Sequence, residues 1–197
     1  IAEGPVIQEA DLRSLAQGTT TDKVFELTKK LSGRVDTPLV YMTYLNVLFK
    51  YGYDKFLQNA KDAGISGVIV PDLPYEEKDE LQSVAEKYDI DVISLIAPTS
   101  EDRIKMIASD AKGFIYTVSS MGVTGMRNEI KTDLQSIVSH IKSVTDVPVA
   151  IGFGINKPQQ AKEFSAYADG VIVGSAIVNI VAEHGKDAPE YVFDYVK

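Results

Sequence analysis

The sequence contains no cysteine. Disulfides, thiolate zinc sites and thiol nucleophiles are therefore outside its chemistry. Histidine is almost as scarce: His140 and His184 are far apart and no clustered acids accompany them, so a metal site is not expected. Basic residues are in deficit, 20 Lys and Arg against 28 Asp and Glu, for a formal net charge of −8. That balance lacks the basic patch of a nucleic-acid binder. It also means that an anionic ligand must be held by local groups, because the overall field repels it. No apolar run approaches the ~20 residues of a membrane helix, and no secretory signal is visible at the start. What is left is one soluble α/β domain of 197 residues, 45% hydrophobic and 24% charged, with a cytoplasmic location expected. The first residue is Ile1 rather than Met, and the chain opens inside what reads as an active loop. N-terminal residues are expected to be missing.

Patterning then supplies the architecture. Ile7, Leu12, Leu15 and Ala16 fall near one helical face before Gly18, and Val24, Leu27 and Leu31 do so before Gly33. Glycine just past a helix end takes a left-handed conformation at little cost. From there short apolar runs alternate with amphipathic segments. Six strands are predicted: Leu39–Thr43, Gly67–Val70, Asp91–Ile96, Gly113–Val118, Val147–Ile151 and Gly170–Val173. They are rich in Val and Ile, as strands covered on both faces should be. Between them, Leu81, Val84, Ala85 and Tyr88 follow helical spacing, as do Ile104, Ile107, Ala108 and Ala111, and Leu134, Ile137, Val138 and Ile141. Thr99–Asp102 and Asn156–Pro158 read as helix starts with a capping side chain and an early proline.

Repeated βα units imply a parallel sheet, either open and doubly wound or closed as a (β/α)8 barrel. A barrel needs eight strands and typically about 250 residues. Two further βα units before Ile1 would supply the difference, so residues 1–197 are expected to be one barrel domain with six of its eight units in view. A doubly wound fold usually carries a glycine-rich fingerprint after its first strand, and the first strand here runs into Met42-Thr43-Tyr44-Leu45-Asn46 instead.

Three strand ends carry glycines: Ser119–Asn128, Ile151–Pro158 and Val173–Val178. Each follows a strand's carboxyl end, where barrel sites form, and the loops after the last two strands are the usual phosphate site. Bare Gly174-Ser175 sits where a strand stops and a helix begins. Main-chain N–H groups and the positive end of the helix dipole would face an anion there. Any one of these glycines is compatible with a simple tight turn; the three in this order point to phosphate.

Read together, AEGPVIQ, YMTYLNVLFKYG, GVIVPDLPYEE, GFIYTVSSMGVTG, VPVAIGFGI and ADGVIVGSAIV resemble the tryptophan synthase alpha subunit family in order and spacing, from Glu3 to Val178. The resemblance implies a (β/α)8 TIM barrel that cleaves indole-3-glycerol phosphate to indole and glyceraldehyde 3-phosphate, a retro-aldol lyase step in tryptophan biosynthesis. It implies two carboxylates for proton transfer. The first, a general acid/base Glu, falls before Ile1. The second aligns with Glu3, where the family usually has Asp.

By the same resemblance Thr124 closes a lid loop over the site, with Gly122 and Gly125 beside it, and Tyr116 points into the pocket. Gly125, Gly154, Gly174 and Ser175 form the phosphate cradle, while Ile7, Phe153 and Ile155 are expected to line the indole slot. The Pro71–Pro74 loop, with Asp72, and the segment around Tyr44 and Asn46 would meet a beta subunit in an α2β2 heterotetramer. Pyridoxal phosphate is implied in that partner and no cofactor in this chain. Asp72 itself reads as a structural or interface acid, with a general-acid role as the other possibility. The alternatives for function are another phosphate-sugar barrel isomerase, or a non-catalytic phosphate-ligand module that regulates a partner.

Overall fold

The computed structural model of the chain describes residues 4–118, 133–152 and 154–197. In chain order the elements are α1 (Pro5–Ala16), α2 (Thr21–Ser32), β1 (Leu39–Met42), α3 (Leu45–Tyr51), α4 (Tyr53–Asp62), β2 (Ile65–Ile69), α5 (Lys78–Ala85), β3 (Asp91–Val92), β4 (Ser94–Ile96), α6 (Glu101–Ser109), β5 (Ile115–Val118), α7 (Leu134–Lys142), β6 (Val149–Gly152), α8 (Pro158–Phe164), β7 (Gly170–Val171), α9 (Ser175–His184) and α10 (Ala188–Val196). Every predicted strand is present. The one expected over Asp91–Ile96 comes in two pieces, β3 and β4.

All pairings are parallel, in the orders β1-β2-β3 and β4-β5-β6-β7. Spatial order therefore follows chain order with no reversal. A doubly wound sheet requires a switch point at which the order reverses, whereas sequential parallel neighbours are how a (β/α) barrel is wound. The two ladders meet at Ile93. Asp91 and Val92 pair with Gly67 and Val68 of β2, and the Ile93 N–H donates to the Val68 carbonyl at 2.9 Å. From Ser94 onward the same strand pairs with β5, beginning Ser94 to Ile115.

Side chains alternate across this curved sheet because a strand's period is two. Ile69, Ile93 and Tyr116 are buried on the inner side, with Leu95, Phe114, Val118 and Ile172 against them. The outer side carries two larger cores beneath the helices. One gathers Phe25, Leu48, Phe56, Leu57, Val68 and Leu81; the other gathers Ile96, Ile104, Ile115, Ile137, Ile141 and Ile151. Burial of such a side chain is worth roughly 1.5–3 kcal/mol, so the outer cores dominate the packing.

Three local expectations are corrected. Helix α2 buries Phe25 and Thr28, while Leu27 and Leu31 remain exposed. Phe25 wins because Tyr41, Tyr51 and Phe56 surround it edge to face at centroid distances of 5.8, 5.7 and 5.2 Å, a geometry that aromatic quadrupoles favour. Gly33 closes α2 with φ −78°, in the ordinary right-handed region. Gly18, after α1, does have the left-handed φ of +72°. At α8 the expected proline is the first residue, but the capping acceptor is Gln160, whose Oε1 accepts from the N–H groups of both Asn156 and Lys157 at 3.0 Å. At α6 the cap is as expected: Ser100 Oγ accepts from the Arg103 N–H at 3.4 Å.

Candidate active site

The carboxyl ends of β6 and β7 lie side by side. Ile151 is the register partner of Val171, and the Ile172 N–H donates to the Ile151 carbonyl at 2.8 Å. Gly154 and Gly174 each follow their strand's register residue by three positions, so their loops leave the sheet at one level. Both glycines and Ser175 are exposed. Gly154 has φ +79°, a conformation that favours glycine. Among the described residues, a Cβ built on Gly154 or on Gly174 meets no atom within 4 Å. These glycines thus make no tight packing contact with the described residues.

Helix α9 begins at Ser175 without a side-chain cap, and the first acceptor within it is the Gly174 carbonyl, which takes the N–H groups of Ile177 at 3.0 Å and Val178 at 3.1 Å. The opening N–H groups of a helix have no intrahelical acceptor. An uncapped helix start suits an anion. Helix α1 packs along α9. Ile7 lies in the first turn of α1 and is half-buried.

Tyr116, on β5, is the most polar member of the inner cluster and is 7% exposed. Its ring lies against the backbone of Gly152 on the neighbouring strand, where any side chain would overlap it. Burial pushes the Tyr116 phenol above its ordinary range, so it is a protonated donor at neutral pH. The sequence signal for this fit is the first glycine of Gly152-Phe153-Gly154, a position to which pattern alone assigns no partner. Ile155 departs from expectation: it is 5% exposed within the outer core. There it packs on the helix side of the sheet rather than lining an inner slot. Glu3, Thr124, Gly125 and Phe153 lie outside the described residues.

Asp72 takes up a structural contact. Its Oδ1 accepts the Leu45 N–H at 2.8 Å. The two histidines stand away from the strand ends. His140 contacts Ser136 of its own helix α7 at 3.1 Å and reaches Glu101 of α6 at 3.3 Å, and His184 stacks on Tyr191 with centroids 3.5 Å apart. Among the described residues no group of three acids or histidines is placed to hold a metal ion, and no helix is long and apolar enough to cross a membrane.

Sequential parallel strands, an outer helical layer and a glycine-lined mouth at the strands' carboxyl ends define a (β/α)-barrel protein. The profile of the tryptophan synthase alpha chain family matches residues 1–195. Two similar proteins are the tryptophan synthase alpha chains of Lacticaseibacillus casei, 50% identical over 197 residues, and Lactiplantibacillus plantarum, 47% identical over 198. Each comparison covers 100% of this chain, with 74% of the first relative and 75% of the second. Among solved structures, the tryptophan synthase α2β2 complex of Pyrococcus furiosus is similar with a TM-score of 0.89 at 36% identity, covering 100% of this chain and 80% of that one. The alpha subunit from Campylobacter jejuni is similar with a TM-score of 0.86 at 38% identity, covering 100% and 79%. The chain belongs to the tryptophan synthase alpha chain family, and its fold is the (β/α)8 barrel of that family.

Proposed function

We propose that this chain is the lyase of the alpha reaction and cleaves indole-3-glycerol phosphate to indole and glyceraldehyde 3-phosphate. The observation that carries the reading is the pair of glycine mouths on β6 and β7, level with each other and joined to the uncapped start of α9. A phosphate dianion bound there anchors the glycerol end of the substrate, which lets the indole end reach inward past Tyr116. Protonation of the indole C3 by the general acid/base Glu that the family resemblance implies makes the ring an electron sink. The bond between C3 and the glycerol carbon then breaks, its electron pair returns to the ring, and the hydroxyl on that carbon gives its proton back to the same carboxylate as the aldehyde forms. In this reading Glu3 holds the indole N–H through the step, Thr124 closes over the ligand, and Gly125 and Phe153 complete the cradle and slot. The reaction draws on side chains and main-chain amides, with no cofactor in this chain.

We further propose that the chain works in the cytoplasm with a pyridoxal-phosphate-bearing beta partner that consumes the indole, as in the α2β2 assembly named for the Pyrococcus furiosus relative. The isomerase and binding-module readings are not favoured by a family match over residues 1–195. The test is indole release from indole-3-glycerol phosphate by the purified protein, with and without a beta subunit. Glu3→Gln is expected to abolish most of the release while leaving phosphate-ligand affinity intact. Full turnover by that variant removes Glu3 from the chemistry, and tight ligand binding with no turnover by the parent protein returns the binding-module reading.

A further inference from the structure

The loops after β1 and β2 are neighbours at the same mouth, and the side chain of Asp72 joins them. The ladder between these strands runs one residue past Met42, because the Thr43 N–H donates to the Ile69 carbonyl at 3.0 Å. Tyr44 follows, with φ −78° and ψ 151°, and α3 starts at Leu45. The Tyr44 side chain does not cap that helix. The first helical N–H, that of Leu45, is taken instead by Oδ1 of Asp72 at 2.8 Å, 27 residues away in sequence. Tyr44 is therefore bracketed by two hydrogen bonds, one on each side, and both acceptors belong to the end of β2 and the turn that follows it.

The Asp72 turn is itself stiff. Pro71 and Pro74 flank it, and the Leu73 N–H closes it onto the Val70 carbonyl at 3.1 Å. Proline fixes its own φ and restricts the residue before it, so the carboxylate is presented by a backbone with little freedom. On β1, Val40 lies on the inner side, where its Cγ1 stands 3.2 Å from the position a Cβ on Gly67 would take, next to Ile93 Cδ1. The period of two carries that inner side through Met42 to Tyr44, at the carboxyl end of the strand. Tyr44 is half-buried there.

We propose that Asp72 is a positioning residue for the lyase reaction: it fixes the start of α3 and through it the direction in which Tyr44 enters the mouth. In this proposal the acid acts as a hydrogen-bond acceptor for the Leu45 amide rather than as a proton donor or acceptor in the reaction. The proposal rests on the lyase reading for its kinetic consequence, and its structural half stands apart from it. Asparagine at position 72 keeps an Oδ1 acceptor of the same reach; alanine removes it.

The experiment compares Asp72→Ala, Asp72→Asn, Tyr44→Ala and the Tyr44→Ala/Asp72→Ala double variant in the complete protein. Steady-state indole release and amide hydrogen exchange at Leu45 are both measured. Asp72→Ala is expected to lower kcat about tenfold, the scale of a sub-ångström misplacement, with KM changed little, and to speed exchange at Leu45. Asp72→Asn restores both. The double variant is no slower than Tyr44→Ala, because coupled residues are non-additive. An Asn variant as slow as Ala assigns the carboxylate to proton transfer and overturns the proposal, as do additive losses in the double variant. Unchanged Leu45 exchange in Asp72→Ala overturns it regardless of turnover. A parent protein that releases no indole defeats the lyase reading instead, and the Leu45 exchange pattern then decides the clamp alone.

Discussion

The two ladders of the sheet use the same βα unit to opposite ends. In the β1–β3 half the outer core is aromatic, with Phe25, Tyr41, Tyr51 and Phe56 meeting edge to face at 5.2 to 6.2 Å. Its mouth is filled by side chains and prolines. In the β4–β7 half the outer core is aliphatic, built on Ile96, Ile104, Ile115, Ile141 and Ile151. Its mouth at β6 and β7 is glycine, with no described residue within 4 Å of where a side chain on Gly154 or Gly174 would start. The contrast teaches that the two ends of a unit are decoupled. The face under the helices sets stability, while the few residues after each strand decide whether its loop is a strut or a ligand cradle.

The largest expected effect tests the stability side. Phe56→Ala removes a ring that is 3% exposed and shared by three aromatic neighbours, and is expected to cost about 3–5 kcal/mol by denaturant unfolding. Indole release below the unfolding transition should be retained. Gly174→Val tests the cradle side. A side chain there fills the space open to the anion, and kcat/KM is expected to fall about a hundredfold, or roughly 2.7 kcal/mol, with the unfolding midpoint held. Gly33, which also has nothing within 4 Å of a built Cβ but lies at the end of α2, is the control. Gly33→Val should leave kcat/KM alone, and an equal loss in both breaks the comparison. Gly152→Val sits between the two functions. It drives a side chain into Tyr116, and overpacking of this kind costs about 1–3 kcal/mol, so both stability and turnover should drop.

The smallest effect lies where the halves meet. The Arg103 guanidinium donates to both oxygens of Glu76, at 2.5 and 3.1 Å. Those hydrogen bonds hold the Glu76 carboxyl at about 2, against an ordinary value of 4.5. A carboxyl depressed on folding stabilises the native state above its unfolded value and loses that contribution as pH falls through its folded one. The pair's contribution should therefore be full above pH 4.5 and fade between 4.5 and about 2. The pair is exposed, so the change is small. The difference in thermal midpoint between the parent and Arg103→Gln should close over that window and not elsewhere.

Strand identity was legible because runs such as Val68-Ile69-Val70 need apolar cover on both faces. The glycine mouths were legible because a bare Gly-Ser between a strand and a helix has few other uses. Other features depend on partners that spacing does not name. On α2, Thr28 stands three residues after Phe25 just as Leu27 stands three after Val24, so helical spacing alone does not choose between the two faces. The choice fell to aromatic rings from other elements, Tyr41 on β1 and Phe56 on α4 among them. Ile155 is apolar and follows a strand end, and its place in the outer core is not announced by its local spacing. The acceptor for Leu45 stands in another βα unit, and no local pattern announces Asp72 as its partner.

The handover at Ile93 gives the molecule a line of weakness. Among the described residues the two ladders share one strand and pass from one to the other at a single peptide. Across the same line, Glu76 pairs with Arg103, Lys78 with Asp110 and Glu86 with Lys112, like staples along a fold in paper. Pulled apart, the protein should tear there first, and the two flaps on either side should come away with their own cores intact.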